Sequence, residues 1–123
     1  MWLAAMDGRM AGAVSAGFLT RMDQMEQKHC LCWKFDGLRE LVDFADIYSL
    51  VAPRPLLCQN GLKEPPTQFP VSVAADALRE ISLIYADFGR PENATLVAHP
   101  EGHVIHLASL LAFFDEHLHT KGE

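Results

Sequence analysis

A chain of 123 residues is long enough for one ordinary domain and too short for two. Half its residues are hydrophobic and 21% are charged, which suits a packed core and excludes a disordered segment. A formal net charge of -6 leaves no basic surface, which argues against nucleic acid or an anionic membrane as partner. Trp2 to Met6 is short, apolar and rich in helix formers, like the end of a helix. Ala11 to Leu19 is an apolar run with small residues and is expected to be a buried strand. Thr20 to Asp36 is polar and irregular, so a loop is expected there. Asp36-Gly37 is expected to cap a helix from Leu38 to about Phe44, with a further helical turn from Ile47 to Val51, stopped by Pro53 and Pro55. A second strand covers Pro55 to Gln59 and ends at Asn60-Gly61. The three prolines of Leu62 to Pro70 dictate a loop.

Ser72 to Phe88 carries the clearest helical period. Ala74, Ala77, Leu78, Ile81, Ile84, Tyr85 and Phe88 recur at steps of three and four, and Gly89 and Pro91 stop the helix. Ala94 to Ala98 is a third short strand, and His99 to His103 is a loop. A last helix is expected from Val104 to Leu118, with Val104, Leu107, Ala108, Leu111, Phe114 and Leu118 turned inward. His117 and His119 would form its solvated end, where they complement the helix dipole. The fold class is therefore α/β: three parallel strands near 11–19, 55–59 and 94–98, flanked by helices near 38–50, 72–88 and 104–118. Strands that are apolar throughout and alternate with helices imply a parallel sheet covered on both faces.

Cys30, Cys32 and Cys58 are an odd set, and the opening MWLAAMDGRM has no basic leader. Asp7 and Arg9 cut its apolar run short, so it reads as neither a signal peptide nor a membrane span. Reduced thiols in a cytoplasm are the expectation. Asn93-Ala94-Thr95 matches a glycosylation pattern and, without a secretion signal, reads as chance.

In open parallel sheets the chemistry sits at the carboxyl ends of the strands. That rule selects the loops after Leu19, Gln59 and Ala98. Glu64 follows the second strand and His103 the third. A carboxylate there can fix the imidazole tautomer and stabilise its charged form, leaving the other ring nitrogen to take a proton from a nucleophile. Gly102 lets the backbone turn tightly just before the ring. The competing reading makes Glu64 a solvated loop carboxylate and His103 an exposed loop histidine. Ser15 lies within the first strand without a glycine-flanked turn, and reads as a small buried residue. A thiol of Cys30 or Cys32 as nucleophile would need an electropositive, partly exposed setting. His29, Cys30 and Cys32, and also His99, His103 and His106, are of metal-binding types, but their spacings match no recognised zinc framework. No metal and no cofactor is expected.

The segment IYSLVAPRPLLCQNGLKEP resembles the stretch leading into the penultimate core strand of dienelactone-hydrolase-like and acetyl-xylan-esterase-like members of the α/β-hydrolase superfamily. The matching residues are Ala52-Pro53-Arg54-Pro55-Leu56-Leu57, Asn60-Gly61 and Glu64-Pro65, followed by Gly102-His103 after the last strand. WLAAMDGRMAGAVSAGF is similar to the helix after the nucleophile elbow and the strand that follows it. His29-Cys30 with Asp36-Gly37-Leu38 is similar to a loop these proteins carry near the site. The resemblance implies the C-terminal part of such a domain, acting on small-molecule carboxylic esters through an acyl-serine, with Glu64 as acid and His103 as base. It departs from the family in three ways. No Gly-x-Ser-x-Gly elbow occurs, and by the resemblance it would lie a few residues before Met1. The acid is Glu64 rather than the usual Asp. The loop after it is about two residues longer, around Thr67-Gln68, a length that could displace Glu64. On this reading the chain alone is inactive. The alternative is a non-catalytic module that oligomerises, or pairs with a complementing N-terminal half, through an exposed sheet edge.

Overall fold

Six residues in mid-chain, Leu56–Gly61, form the strand on which the rest is built, and all six are buried. In the computed structural model, which describes residues 1–118, this strand (β2) lies between β1 (Ala13–Ala16) and β3 (Ala94–His99). Both pairings are parallel, with Ala13 opposite Leu56 and Leu56 opposite Ala94. Helices occupy Trp2–Met6 (α1), Met22–Lys28 (α2), Leu38–Leu41 (α3), Phe44–Ser49 (α4), Val71–Asp87 (α5) and Leu107–Leu118 (α6), with a 3-10 turn at Pro91–Asn93. The expected three-stranded parallel α/β sheet is present.

Side chains alternate across a strand, so β2 faces two ways. Leu56 and Cys58 enter the main core with Ala4, Phe44, Ile47, Tyr48, Ala74, Ala77, Ile81 and Tyr85 from α1, α4 and α5. Leu57 and Gln59 point to the other face, where α6 lies. The Gln59 amide donates to the His106 carbonyl (2.9 Å) and to Ser109 Oγ (2.8 Å), and its oxygen accepts from the His106 N–H (3.2 Å). A buried amide satisfied in this way fixes which side of α6 meets the sheet.

Arg54, in the turn between α4 and β2, ties the N-terminal helix to the sheet. Its guanidinium donates to the carbonyls of Ala4, Asp7, Met10, Leu50 and Val51 at 2.7–3.2 Å. One planar fork thereby gathers carbonyls at the end of α1 and in the following turn, where the Asp7 carbonyl also accepts from the Met10 N–H (3.2 Å). The Ala52-Pro53 peptide is cis. Asn93 Nδ2 donates to the Pro53 carbonyl (2.7 Å), so the asparagine of the sequon pattern has a structural bond.

The structure corrects several boundaries. β1 is shorter than 11–19, because Gly17 at φ 70 turns the chain out of the sheet. Asn60 and Gly61 continue β2 instead of ending it, paired with Ala98 and His99. The stretch 20–36 is not all loop: α2 forms within it and buries Met22 and Met25. The helix expected near 38–50 is two helices, because Asp43 starts a new one. It accepts from the Phe44 N–H, while the Asp46 side chain accepts from the Asp43 N–H, a reciprocal capping box. α5 buries Ala74, Ala77, Ile81 and Tyr85, whereas Ile84 and Phe88 are exposed.

The largest correction concerns α6. Val104, Leu107, Leu111, Phe114 and Leu118, expected to face inward, are 40–61% exposed, and Ala108 is exposed as well. The residues turned toward the sheet are His106, Ser109, Leu110, Phe113 and His117. α6 carries two apolar stripes, so period alone selects neither, and the Gln59 bonds decide. His117 is half-buried with its ring edge on Phe113 (4.7 Å) rather than solvated. His119 lies outside the described residues.

Candidate active site

The carboxyl ends of the three strands converge on one place, and backbone geometry does most of the positioning. Leaving β1, the Gly17 N–H donates to the Gln59 carbonyl (2.6 Å), and the positive φ then swings the chain aside. Leaving β2, the Leu62 N–H donates to the His99 carbonyl (2.8 Å) and the Lys63 N–H to the Glu101 carbonyl (3.0 Å). These two bonds zip the loop carrying Glu64 to the loop carrying His103. The zipper needs a glycine at 61, because a Cβ there would collide with the Glu101 and Gly102 carbonyls and lie 2.8 Å from the Gly102 carbonyl carbon. Asn60 is buried and its amide donates to the Leu19 (3.2 Å) and Phe69 (3.1 Å) carbonyls. It thus holds the loop after β1 and the proline-rich loop together.

Glu64 and His103, 39 positions apart, meet here. Glu64 Oε1 lies 2.6 Å from His103 Nδ1. The Glu64 side chain is 1% exposed, while that of His103 is 59% exposed. A carboxylate accepting from Nδ1 favours the tautomer with the proton on that nitrogen. Glu64 Oε2 is buried and has no hydrogen-bond partner among the described residues. After Glu64 the loop turns where the Gln68 N–H donates to the Pro65 carbonyl (2.9 Å).

Two residues that define the site were not singled out from sequence. Phe69 stacks on the His103 ring (5.3 Å between centroids, 28° between planes) and also contacts Phe18 and His29. Gly17 lies directly against the imidazole, where a Cβ would fall 2.9 Å from His103 Cε1 and 3.0 Å from Nδ1. An aromatic among prolines and a glycine at a strand end are weak signals, and only the assembled loops give them meaning.

None of the other sequence candidates bonds to Glu64 or His103 among the described residues. Ser15 is within β1 and its Oγ is bonded to Tyr48 Oη (2.5 Å). It helps to line a cavity of about 230 Å3 with Met1, Trp2, Phe18, Trp33, Phe44 and Tyr48. Cys58 is buried in the core, and Cys30 and Cys32 are exposed. His99 is buried, stacked on His106 (5.3 Å, 5°), and neither of its ring nitrogens is hydrogen-bonded among the described residues. Parallel rings direct their nitrogens edgewise, so they do not converge on a common ion. Among the described residues no group of three or more His, Cys, Asp or Glu could hold a metal ion. No described helix is long and apolar enough to cross a membrane.

Three parallel strands in the order β1-β2-β3, flanked by helices, match the C-terminal part of an α/β-hydrolase fold. No family model matches the chain, and no curated protein matches it in sequence. Solved structures do. A carbohydrate esterase family 15 (CE15) glucuronoyl esterase from Caldicellulosiruptor kristjansonii superposes with a TM-score of 0.74 at 16% identity, over 94% of this chain and 39% of that one. Methylesterase BT1017 superposes with a TM-score of 0.50 at 26% identity, over 58% of this chain and 16% of that one. The chain therefore spans well under half the length of either esterase. The fold is that of part of an α/β-hydrolase, a sheet of three parallel strands flanked by helices.

Proposed function

We propose that Glu64 and His103 are the acid and base of a carboxylic ester hydrolase centre of the serine-hydrolase kind, in the dienelactone-hydrolase-like or acetyl-xylan-esterase-like manner. The observation that carries this reading is the 2.6 Å bond from a buried carboxylate to the Nδ1 of an exposed imidazole. In this mechanism Nε2 takes the proton of a serine hydroxyl as it attacks the ester carbonyl, and Glu64 stabilises the imidazolium that forms. The imidazolium then protonates the departing alcohol. Water, activated by the same Nε2, releases the acid from the acyl-serine. Ser15, bonded to Tyr48 within a strand, is not that nucleophile. It comes from a polypeptide not included in these 123 residues, and these residues alone are inactive.

The test is hydrolysis of chromogenic acetyl and butyryl esters. The 123 residues alone give no turnover above a His103→Ala control. Expressed together with the coding sequence that precedes them in their gene, they hydrolyse the esters, and either His103→Ala or Glu64→Ala lowers kcat by orders of magnitude. Activity of the isolated chain that His103→Ala abolishes would overturn the inactive-fragment reading. An upstream sequence without a Gly-x-Ser-x-Gly elbow would overturn the esterase reading.

A second reading is a non-catalytic module that self-associates or takes a complementing N-terminal half. Two observations favour it. Among the described residues β1 pairs only with β2, and the outward stripe of α6 from Val104 to Leu118 is apolar and exposed. Sedimentation of the purified chain checks it: a monomer at high concentration removes the self-associating form.

A further inference from the structure

Both tryptophans of the chain, Trp2 and Trp33, line the cavity of about 230 Å3 that also holds Ser15 and Tyr48. Its walls are aromatic, with Phe44 edge-on to Phe18 (5.3 Å) and to Trp33 (5.5 Å). Trp2 is exposed, so the cavity is open to solvent on that side. A dry cavity of about 150 Å3 is enough for a benzene ring, so this one has room for a ring with a short substituent. None of the lining side chains is charged. An anion would lose its water there without gaining a counter-charge, so the cavity suits a neutral molecule.

The polar handle is a pair of hydroxyls. Ser15 Oγ and Tyr48 Oη lie 2.5 Å apart, and neither has another hydrogen-bond partner among the described residues. Two hydroxyls bonded only to each other use one of their two hydrogens. Tyr48 is 1% exposed, whereas Ser15 is half-buried. The buried tyrosine donates, because accepting alone would strand its own hydrogen away from water. Burial also raises the Tyr48 pKa, so the phenol keeps that hydrogen. The unspent donor is then the Ser15 O–H, on the more accessible of the two residues. Phe18 also contacts Phe69 (5.5 Å), the ring stacked on His103, so two aromatic rings connect the cavity to the Glu64–His103 pair.

We propose that this cavity binds a small neutral aromatic molecule, one ring bearing a carbonyl oxygen, with the ring against the aromatic walls and the oxygen accepting from Ser15 Oγ. Such binding needs no serine nucleophile, so it stands or falls separately from the esterase reading.

The experiment is titration of the 123-residue chain with acetophenone, a ketone that an esterase does not cleave, and with ethylbenzene as the ring without an acceptor. The heat of binding gives each affinity, and emission from Trp2 and Trp33 reports entry into the cavity. Both probes are expected to bind saturably, one per chain, with a change in that emission. The double variant Ser15→Ala/Tyr48→Phe removes both hydroxyls together, so no buried donor is left unpaired. It is expected to weaken acetophenone about fivefold, the worth of one neutral hydrogen bond, without weakening ethylbenzene. Tyr48→Phe alone keeps the Ser15 donor and is expected to keep the parent affinity for acetophenone. A cooperative urea transition reports the fold of each variant, and the parent titration needs no variant at all. Absence of saturable binding to the parent, or saturable binding without a change in tryptophan emission, would overturn the proposal. So would a double variant that weakens both probes equally or neither, or a Tyr48→Phe chain that loses the acetophenone affinity.

Discussion

Replacing Gly61 with alanine tests whether the site is held by the zipper between β2 and the loop after β3. The added methyl has nowhere to go, because its neighbours are the Glu101 and Gly102 main-chain atoms rather than the end of a flexible side chain. To admit it, the 99–103 loop must lift from 61–63. That movement breaks the bonds from the Leu62 N–H to His99 and from the Lys63 N–H to Glu101. Each is worth about 1 kcal/mol, and crowding by one methyl adds about 1–3 kcal/mol. The sum is about 3–5 kcal/mol, a large part of the roughly 5–15 kcal/mol of a typical domain. In urea this lowers the unfolding midpoint by about 2 M, taking about 2 kcal/mol per M for a small protein. Tryptophan fluorescence, reporting the buried Trp33, follows the transition. Gly8→Ala is the control, since nothing lies within 4 Å of its added Cβ, and it stays within about 0.5 kcal/mol of the parent. A Gly61→Ala chain as stable as Gly8→Ala would refute the close approach, and with it the account of how Glu64 is brought to His103.

Asp43→Ala is expected to cost about 2 kcal/mol, because Asp43 caps α4 and also accepts from the Met22 N–H (2.9 Å) that starts α2. Thermal unfolding measures this, and Asp43→Asn should recover much of the loss. Arg54→Lys is expected to fail as a conservative change, since three ammonium donors cannot serve five carbonyls. Its signature is faster amide exchange in α1 with little change in α5. Alkaline pH should destabilise the chain through its buried groups. The Cys58 thiol is raised from 9.0 to about 12 by burial, and Tyr48 and Tyr85 are raised by the same cause. Each folded pKa lies above its unfolded value, so the stability is fully present below about pH 9 and is lost as pH rises toward 12. For Cys58 the loss is about 1.4 kcal/mol per pH unit in that window. Stability measured from pH 8 to pH 11 checks this, and Cys58→Ala should flatten the slope by that amount.

The wrong inward face for α6 and the correct one for α5 have the same physical origin. α5 buries Ala74, Ala77, Ile81 and Tyr85 of its expected stripe and carries charged residues such as Arg79 and Glu80 opposite, so period and burial agree for that stripe, while Ile84 and Phe88 at its margin stay exposed. α6 is apolar on two sides, and the side that meets the sheet is the one carrying His106 and Ser109, polar residues that earn their place only because Gln59 lies opposite. Sequence shows no partner 47 positions away. The same holds for α2, whose polar composition conceals the burial of Met22 and Met25, and for Asp43, whose cap ends one helix expectation and begins another helix.

The sequence by itself determined three strands, their order along the chain, and a carboxylate and an imidazole following the second and third. Apolar runs, prolines and glycines are local signals, and local signals suffice for those conclusions. Only the tertiary structure decided that Glu64 and His103 meet at 2.6 Å, that Phe69 backs the ring, and that positions 17 and 61 must be glycine. Those facts depend on backbone atoms from separate loops approaching within a few ångströms. Such approaches follow from register and packing across the whole sheet, which no single stretch of sequence contains.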